Sequence, residues 1–163
     1  MSRAITSGAA RAAAVVVCVA LTATAAVAIA AGTPQVRVVH NAHLKASILV
    51  DRNGHTLYDL SVERKGHFVC TDTSCLSFWR PLVVGKNVKP TGTSSLGTVL
   101  RPDGRLQVTY KGGPLYTFVG DAKRGDTKGE GFKDVGVWHA AALGGSTAAK
   151  APLPSGGYGA YRP

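Results

Sequence analysis

The fold is decided by GHTLYDLSVE at residues 54–63 and by GGPLYTFVGD at residues 112–121, two copies of one ten-residue pattern. Glycine, leucine, tyrosine, a large apolar residue and an acid recur at the same offsets, 58 positions apart. Repetition at a fixed period is typical of supersecondary units that stack to share a core. The chain is therefore expected to contain two copies of one small structural element.

The first copy follows a short β-prone run and a turn signal. Residues 47–51 and 55–60 flank Asn53-Gly54, a pair whose tolerance of positive φ makes it a strong hairpin signal. Residues 35–39 are expected to supply a further strand. The sequence therefore predicts an antiparallel unit around the first motif.

The second copy lies among three β-prone runs. Residues 97–101, 105–110 and 115–119 are separated by Pro-Asp-Gly and by Lys-Gly-Gly, which are turn sequences. This spacing predicts a three-stranded antiparallel meander. A shift of 58 residues also places Val50 on Val108, so the strands before the two motifs are expected to correspond.

Both faces of each motif strand are expected to be covered. Leu57 and Tyr58 are adjacent in a strand and point to opposite faces, as do Leu115 and Tyr116. No sustained 3.6-residue apolar period follows the first thirty residues, and 20 glycines in 163 residues are typical of turns. The sequence predicts an all-β fold in which two antiparallel meander repeats pack as one small β domain, with one helical turn at residues 75–79.

The first 31 residues are predicted to be a signal peptide. Two arginines precede residues 12–30, which are almost entirely Ala, Val, Leu and Ile, and Ala28-Ile29-Ala30 has the small-x-small pattern that signal peptidase recognises. Cleavage is expected near Ala30 or Ala31. The alternative is a retained membrane anchor, because the 19 residues from 12 to 30 are just enough to span a bilayer.

Removal of residues 1–31 leaves 132 residues (163 − 31), which is enough for one domain with a modest core. We expect this domain at residues 32–143, with repeat units at about 35–83 and 94–141. Residues 144–163 are rich in Gly, Ala, Ser and Pro and have little to bury, so they are predicted to form a disordered tail.

Two cysteines, Cys70 and Cys75, remain after the predicted cleavage. Exported proteins fold in an oxidising environment, so a Cys70–Cys75 disulfide is expected. A loop this short adds about 2 kcal/mol in the chain-entropy treatment, which makes the role of the bond local. A redox function is disfavoured because four residues separate the cysteines, in place of the two of a thioredoxin-like motif.

The chain is strongly basic. Without the two arginines of the signal segment, 17 Lys and Arg (19 − 2) face 9 Asp and Glu, a net charge of +8. Outside the cell this surplus favours anionic cell-wall polymers or lipid headgroups as partners, although it is also explained by solubility alone. No run of five basic residues is present, so no specific nucleic-acid partner is expected.

Tyr116-Thr117-Phe118-Val119-Gly120-Asp121 fits the pattern Tyr-x-[Phe/Trp/Tyr]-x-x-Asp in full. This segment resembles a family of bacterial secreted repeats of unknown function, often found in lipoproteins, and the resemblance extends over residues 47–141. The first copy departs from the pattern, with Leu60 in place of the aromatic residue and Glu63 in place of the aspartate. The resemblance implies secretion and a repeat architecture, and it implies no biochemical activity.

The motif side chains are the first candidate site: Tyr58, Glu63, Tyr116, Phe118 and Asp121. The acids are expected to accept backbone N–H groups of the following turn, and a half-buried tyrosine needs a polar partner for its hydroxyl. This explains the motif as scaffold. The alternative is that the two tyrosine–acid pairs line a shared groove and bind a ligand. No nucleophile stands beside a base, so no catalytic residue is assigned and an enzyme is the weakest hypothesis.

Four histidines fall in the first repeat: His40, His43, His55 and His67. Imidazole is a common ligand of copper and zinc, so these residues are candidate metal ligands, with solvated surface histidines as the alternative. Trp79 and Trp138 lie 59 positions apart and are expected to be paired core residues. The sequence therefore favours a secreted, non-catalytic cell-surface binding or interaction module, with an exported copper- or zinc-binding protein as the alternative.

Overall fold

The computed structural model describes residues 35–143, so the predicted signal peptide, its cleavage site and the predicted tail lie outside the described residues. Strands dominate this part of the chain, and the predicted all-β class is confirmed. The strands are β1 (Val36–Asn41), β2 (Ala46–Asp51), β3 (Tyr58–Leu60), β4 (Trp79–Pro81), β5 (Val83–Val84), β6 (Leu96–Leu100), β7 (Leu106–Tyr110), β8 (Gly113–Pro114), β9 (Tyr116–Phe118) and β10 (Trp138–Ala140).

One short helix, α1 (Thr73–Phe78), is present among these residues. It begins two residues earlier than predicted because Asp72 caps it, accepting a hydrogen bond from the backbone N–H of Cys75. It ends before Trp79, which enters β4. Within residues 35–143, no helix has the length and apolar character needed to cross a membrane.

All strand pairs are antiparallel. β1 pairs with β2, the order β10-β3-β9-β4 forms a second sheet, and β5-β7-β6 forms a third, in which β8 also pairs with β7. The predicted meander is therefore present only in part. Its third strand pairs with β7 over Gly113–Pro114 and then, as β9, crosses into the second sheet.

The second sheet is shared between the repeats. β4 belongs to the first repeat and pairs with β9 of the second, whereas β10 belongs to the second repeat and pairs with β3 of the first. Each repeat thus contributes an outer strand to its partner. Because of this exchange, the two repeats form one domain and cannot be separated without breaking strand pairs.

The turns that lead into the two motifs differ by one residue. Arg52, Asn53 and Gly54 form a three-residue turn, closed by a hydrogen bond from the Asp51 N–H to the His55 carbonyl. The second turn contains only Lys111 and Gly112. Because of this difference in turn length, residues in the strand before the first motif match those before the second motif at a different shift from the motifs themselves.

The predicted correspondence of Val50 with Val108 is wrong by one residue. The Leu57 N–H donates to the carbonyl of Leu49, and the equivalent Leu115 N–H donates to the carbonyl of Val108. Leu49 is therefore the counterpart of Val108, at a shift of 59. A slip of one residue in a strand moves a side chain to the opposite face, so the shorter turn decides which residues are buried.

Two apolar clusters lie on the two sides of the motif strands. Leu57 and Leu115 belong to one cluster, whereas Tyr58 and Tyr116 belong to the other. All four side chains are 0% exposed. The expectation that both faces of the motif strand are covered is confirmed.

Candidate functional site

The two motif tyrosines face each other at the centre of the shared sheet. Tyr58 on β3 pairs with Tyr116 on β9. On one side of this pair Trp138 is opposite Leu60, and on the other side Trp79 is opposite Phe118. The pairing pattern therefore has an approximate twofold symmetry centred between the tyrosines.

The tyrosine–acid pairs are exchanged between the repeats. The Tyr58 hydroxyl donates to Oδ2 of Asp121 at 2.7 Å, and the Tyr116 hydroxyl donates to Oε2 of Glu63 at 2.8 Å. Each acid follows one tyrosine in the sequence and accepts from the other. All four side chains are buried: Asp121 is 4% exposed, and Glu63 and both tyrosines are 0% exposed.

The second oxygen of each acid binds backbone N–H groups. Oε1 of Glu63 accepts from Val69 and Cys70, both at 2.7 Å, and Oδ1 of Asp121 accepts from Lys128 at 2.9 Å. Each acid thus connects a tyrosine of the other repeat to a loop of its own repeat. Burying a carboxylate without hydrogen bonds would cost free energy. Because the oxygens of both acids accept hydrogen bonds, their burial is compatible with a stable fold.

Burial raises the pKa of both tyrosines above the usual range. For Tyr58 the Asp121 carboxylate adds to the effect of burial, and for Tyr116 the Glu63 carboxylate does the same. Burial also raises the pKa of Asp121, although the hydrogen bond from Tyr58 opposes this. A tyrosine whose pKa is raised and whose hydroxyl donates to a carboxylate is a poor nucleophile and a poor base, so the arrangement favours cohesion over reactivity.

A buried arginine completes one of the two networks. Arg101 is 2% exposed and donates to the Tyr116 hydroxyl at 3.1 Å, to the carbonyl of Cys70 at 2.9 Å and to the Gln107 side chain. Gln107 in turn donates to the carbonyl of Leu115. Arg101 could not be recognised from the sequence, because one basic residue at the end of a strand carries no signal of burial.

The two tryptophans stack at the centre of one apolar cluster. Their ring centroids lie 3.8 Å apart at an interplanar angle of 6°, and they are 2% and 0% exposed, so the prediction that Trp79 and Trp138 are paired core residues is confirmed. Tyr58 packs edge-on against Trp79, and Tyr116 packs edge-on against Trp138. The half-buried Phe118 lies 4.5 Å from Trp79, measured between ring centroids.

The predicted Cys70–Cys75 disulfide is confirmed. It joins the loop that receives the Glu63 carboxylate to helix α1, since the Cys70 N–H donates to Glu63 and Cys75 lies within the helix. The bond thereby fixes the position of the loop backbone that both Glu63 and Arg101 contact.

The four candidate histidines are spread along the first repeat. His40, His43 and His67 are exposed, and His55 is half-buried beside the first turn. Within residues 35–143, no group of three or more His, Cys, Asp or Glu side chains is arranged to hold a metal ion.

The fifth histidine, His139, was not singled out in the sequence. Its Nδ1 lies 3.0 Å from Oε1 of Glu130, and Oε2 of Glu130 accepts from the N–H of Ala140. The alternation of Trp138, His139 and Ala140 along β10 places His139 on the face opposite the buried tryptophan. This alternation is the only signal that the sequence offers for its position.

Two clefts open beside the turns that lead into the motifs. Cleft 1, of about 160 Å³, is lined by residues that include Asp59, Arg64, Tyr110 and Lys111. Arg64 holds Asp59 in an ion pair of 2.8 Å. Burial raises the pKa of Asp59, and Arg64 opposes that rise.

Cleft 2, of about 300 Å³, is the counterpart of cleft 1 near the other turn. Its lining includes Asp51, Arg52, Asn53 and Leu82. With the shift of 59 residues established for the preceding strand, Arg52 corresponds to Lys111 of cleft 1. Each cleft therefore has a basic residue at the equivalent position of its turn.

Comparison with known protein families gives a match in the second repeat. Residues 97–142 match the model of a family described as a secreted repeat of unknown function. This segment runs from within β6 to β10 and contains the second copy of the motif. The match confirms the predicted family resemblance for the second copy, and the extension of the resemblance to the first copy stays a prediction. A search of curated proteins and a search of solved structures found no match.

Proposed function

We propose that the protein is a secreted, non-catalytic module that binds acidic polymers of the cell wall through an exposed basic surface. The observation that carries this proposal is a separation of charge: the acids are engaged within the fold, whereas most bases face solvent. The description of the matched family as secreted supports a role outside the cell.

Eight of the nine acidic side chains have partners within the described residues. Some accept backbone N–H groups in turns or at the start of α1, some pair with bases, and two receive the motif tyrosines. The eight are Asp51, Asp59, Glu63, Asp72, Asp103, Asp121, Asp126 and Glu130. Of these eight acids, Asp72 and Asp103 are exposed, and the other six are buried or half-buried.

The basic residues are distributed in the opposite way. Residues 35–143 contain 15 Lys and Arg and 9 Asp and Glu, a net charge of +6 (15 − 9). Four bases form ion pairs with acids, which leaves 11 (15 − 4) that form none among the described residues. All of these are exposed: Arg37, Lys45, Arg52, Lys65, Arg80, Lys86, Lys89, Lys111, Lys123, Arg124 and Lys133.

Exposed positive charge of this extent attracts polyanions. A Lys or Arg close to a negatively charged surface contributes about 1 kcal/mol to association at physiological ionic strength. The attraction is screened by salt, with a Debye length of about 10 Å at 0.1 M. Binding through this surface is therefore expected to be tight at low salt and to weaken steeply as salt is added.

The motif side chains support a non-catalytic role. Tyr58, Tyr116, Glu63 and Asp121 are buried and hydrogen-bonded to one another, and neither cleft is lined by any of them. Their contacts hold the two repeats together. The surface is thus the part of the molecule left for recognition.

Co-sedimentation with isolated cell walls tests the proposal. We expect the purified protein to sediment with walls that retain their acidic polymers, to stay in solution with walls from which these polymers have been extracted, and to be released by salt. Binding that survives extraction, or that is insensitive to salt, would reject the proposal. If the protein binds vesicles of anionic lipid as well as it binds walls, lipid headgroups would replace wall polymer as the proposed partner.

A further inference from the structure

We propose that two pairs of basic residues, Lys65 with Lys111 and Arg52 with Arg124, form two related sites for the phosphate groups of a polyanion. This inference rests on the proposed function and names the residues and the ligand chemistry of that surface. In each pair one residue comes from the first repeat and the other from the second. The two pairs occupy equivalent places around the approximate twofold symmetry of the shared sheet.

The first pair is formed where two tight turns meet. Lys65 and Gly66 both have positive φ, as do Lys111 and Gly112, so each Lys-Gly is the centre of a type I′ turn. The Lys65 N–H donates to the carbonyl of Gly112 at 3.1 Å, which brings the two turns into contact. The Lys65 side chain also passes over Gly112, since its Cγ lies 4.0 Å from the position that a Cβ would occupy there.

Both lysines adopt a conformation that lysine disfavours. Lys65 has a φ of 53° and Lys111 a φ of 49°, in the left-handed region where an L-residue other than Gly, Asn or Asp is strained. Asn is the residue usually found at this position of a type I′ turn. Strained residues are frequent at functional sites, and these two lysines lie in turns that contact each other with both side chains exposed, whereas Lys45, which also has a positive φ, lies in a separate turn.

The second pair repeats this construction at the other turn. Gly54 is the counterpart of Gly112, and its carbonyl accepts from the N–H of Gly125 at 3.2 Å. Arg124 lies over Gly54, with its Cγ 3.0 Å from the position that a Cβ would occupy. Arg52, two residues before Gly54, lines cleft 2. A base from the opposite repeat therefore lies over the first glycine of each motif, beside a base of the turn itself.

Phosphate is the ligand chemistry that suits these pairs. Lys binds phosphate as a point charge and Arg binds it through its planar fork of donors, and both pairs are free of carboxylate partners among the described residues. Arg64 lines cleft 1 together with Lys111, but Asp59 pairs with it there, so the unpaired positive charge at this site comes from Lys65 and Lys111. Two such sites on one molecule favour a polymer that carries many phosphates over a single phosphate group, because the second contact becomes intramolecular after the first.

Binding of inorganic polyphosphate, measured by calorimetry over a salt series, tests the inference. The variants are Lys65→Gln with Lys111→Gln, and Arg52→Gln with Arg124→Gln. The control is Arg80→Gln with Lys133→Gln, which removes the same charge from exposed positions outside both basic pairs. Each test variant is expected to bind about 30-fold more weakly than the wild type, as two lost contacts of about 1 kcal/mol predict. The control is expected to change affinity by less than about threefold.

If the test and control variants lose the same amount of affinity for polyphosphate, the inference of two specific sites is overturned. Binding would then be a general electrostatic effect of the basic surface, which is compatible with the proposed function. If the wild-type protein binds polyphosphate at these residues but does not bind cell walls, the result would support the two sites and reject the proposed function. Repeating the measurement with vesicles of a phosphate-bearing lipid separates a membrane source of phosphate from a polymer source. If the test variants lose affinity for the lipid vesicles but keep their affinity for polyphosphate, a polymer is rejected as the source of the phosphate groups.

Discussion

The hydroxyl of Tyr58 lies 2.7 Å from Oδ2 of Asp121, although 63 positions separate the two residues in the chain. The equivalent bond joins Tyr116 to Glu63 over 53 positions. Each repeat therefore supplies the acid that the tyrosine of the other repeat needs. A repeat taken alone would lack the acceptor for its tyrosine hydroxyl and the tyrosine donor for its carboxylate, and this makes the two repeats cooperative.

Removal of either hydroxyl is expected to destabilise the protein. Tyr58→Phe leaves Asp121 without its side-chain donor, and Tyr116→Phe does the same to Glu63, so each is expected to lower the free energy of unfolding by about 1 to 3 kcal/mol. Urea denaturation followed by circular dichroism measures the change. Tyr110→Phe is the control, because the Tyr110 hydroxyl belongs to neither of the two tyrosine–acid pairs. Equal losses in all three variants would contradict the role of the exchanged bonds.

Arg101 and Arg105 provide a matched comparison, because both pair with Asp103. Arg101→Met removes the donor to Tyr116 and to the Cys70 carbonyl inside the protein, so we expect a loss of about 3 kcal/mol or more. Arg105→Met removes an exposed ion pair, worth less than about 1 kcal/mol. The two midpoints of thermal unfolding measure the difference, and similar shifts would show that the buried network contributes little.

Much of the fold could be predicted because its determinants are local. Asn53-Gly54 and Pro102-Asp103-Gly104 mark turns through their own backbone preferences, and alternation along the motif predicts that both of its faces are covered. The Cys70–Cys75 bond follows from the count and spacing of cysteines in an exported chain. These features depend on residues within a few positions of one another.

The exchanged contacts could not be predicted in the same way. The spacing of five residues is the same from Tyr58 to Glu63 and from Tyr116 to Asp121, and nothing in it tells whether an acid serves its own tyrosine or the other one. That choice depends on the crossing of β4 and β10 between the repeats. The burial of Arg101 is hidden for a similar reason, since two of its partners, Tyr116 and Cys70, lie 15 and 31 residues away.

Stability is expected to fall at alkaline pH because of the two motif tyrosines. Burial raises the pKa of Tyr58 and Tyr116 in the folded protein, whereas tyrosines of the unfolded chain ionise near pH 10, at about their ordinary pKa. Above about pH 10 the folded state therefore holds more protons than the unfolded state, and the free energy of unfolding decreases as pH rises. Below about pH 10 the contribution of both groups is fully present.

Each tyrosine is expected to contribute a slope of about 1.4 kcal/mol per pH unit above pH 10. Urea denaturation at a series of alkaline pH values measures the slope for the wild type and for Tyr58→Phe and Tyr116→Phe. In each variant, the slope of the free energy of unfolding against pH is expected to be smaller by the contribution of one tyrosine. An unchanged slope in both variants would show that the tyrosines ionise alike in the folded and unfolded states.

The strained lysines yield a prediction in which stability and binding move in opposite directions. Lys65→Asn and Lys111→Asn place at a positive φ the residue that tolerates it best after glycine, so each is expected to raise the free energy of unfolding by about 0.5 to 1 kcal/mol. Each also removes one positive charge of the first basic pair, and polyphosphate is expected to bind about fivefold more weakly. Lys86→Asn is the control for stability, because Lys86 is exposed and is not among the residues with positive φ. A gain in stability with unchanged binding would mean that the strain has no connection with the ligand, and a loss of stability would mean that the lysine side chains hold the turns together.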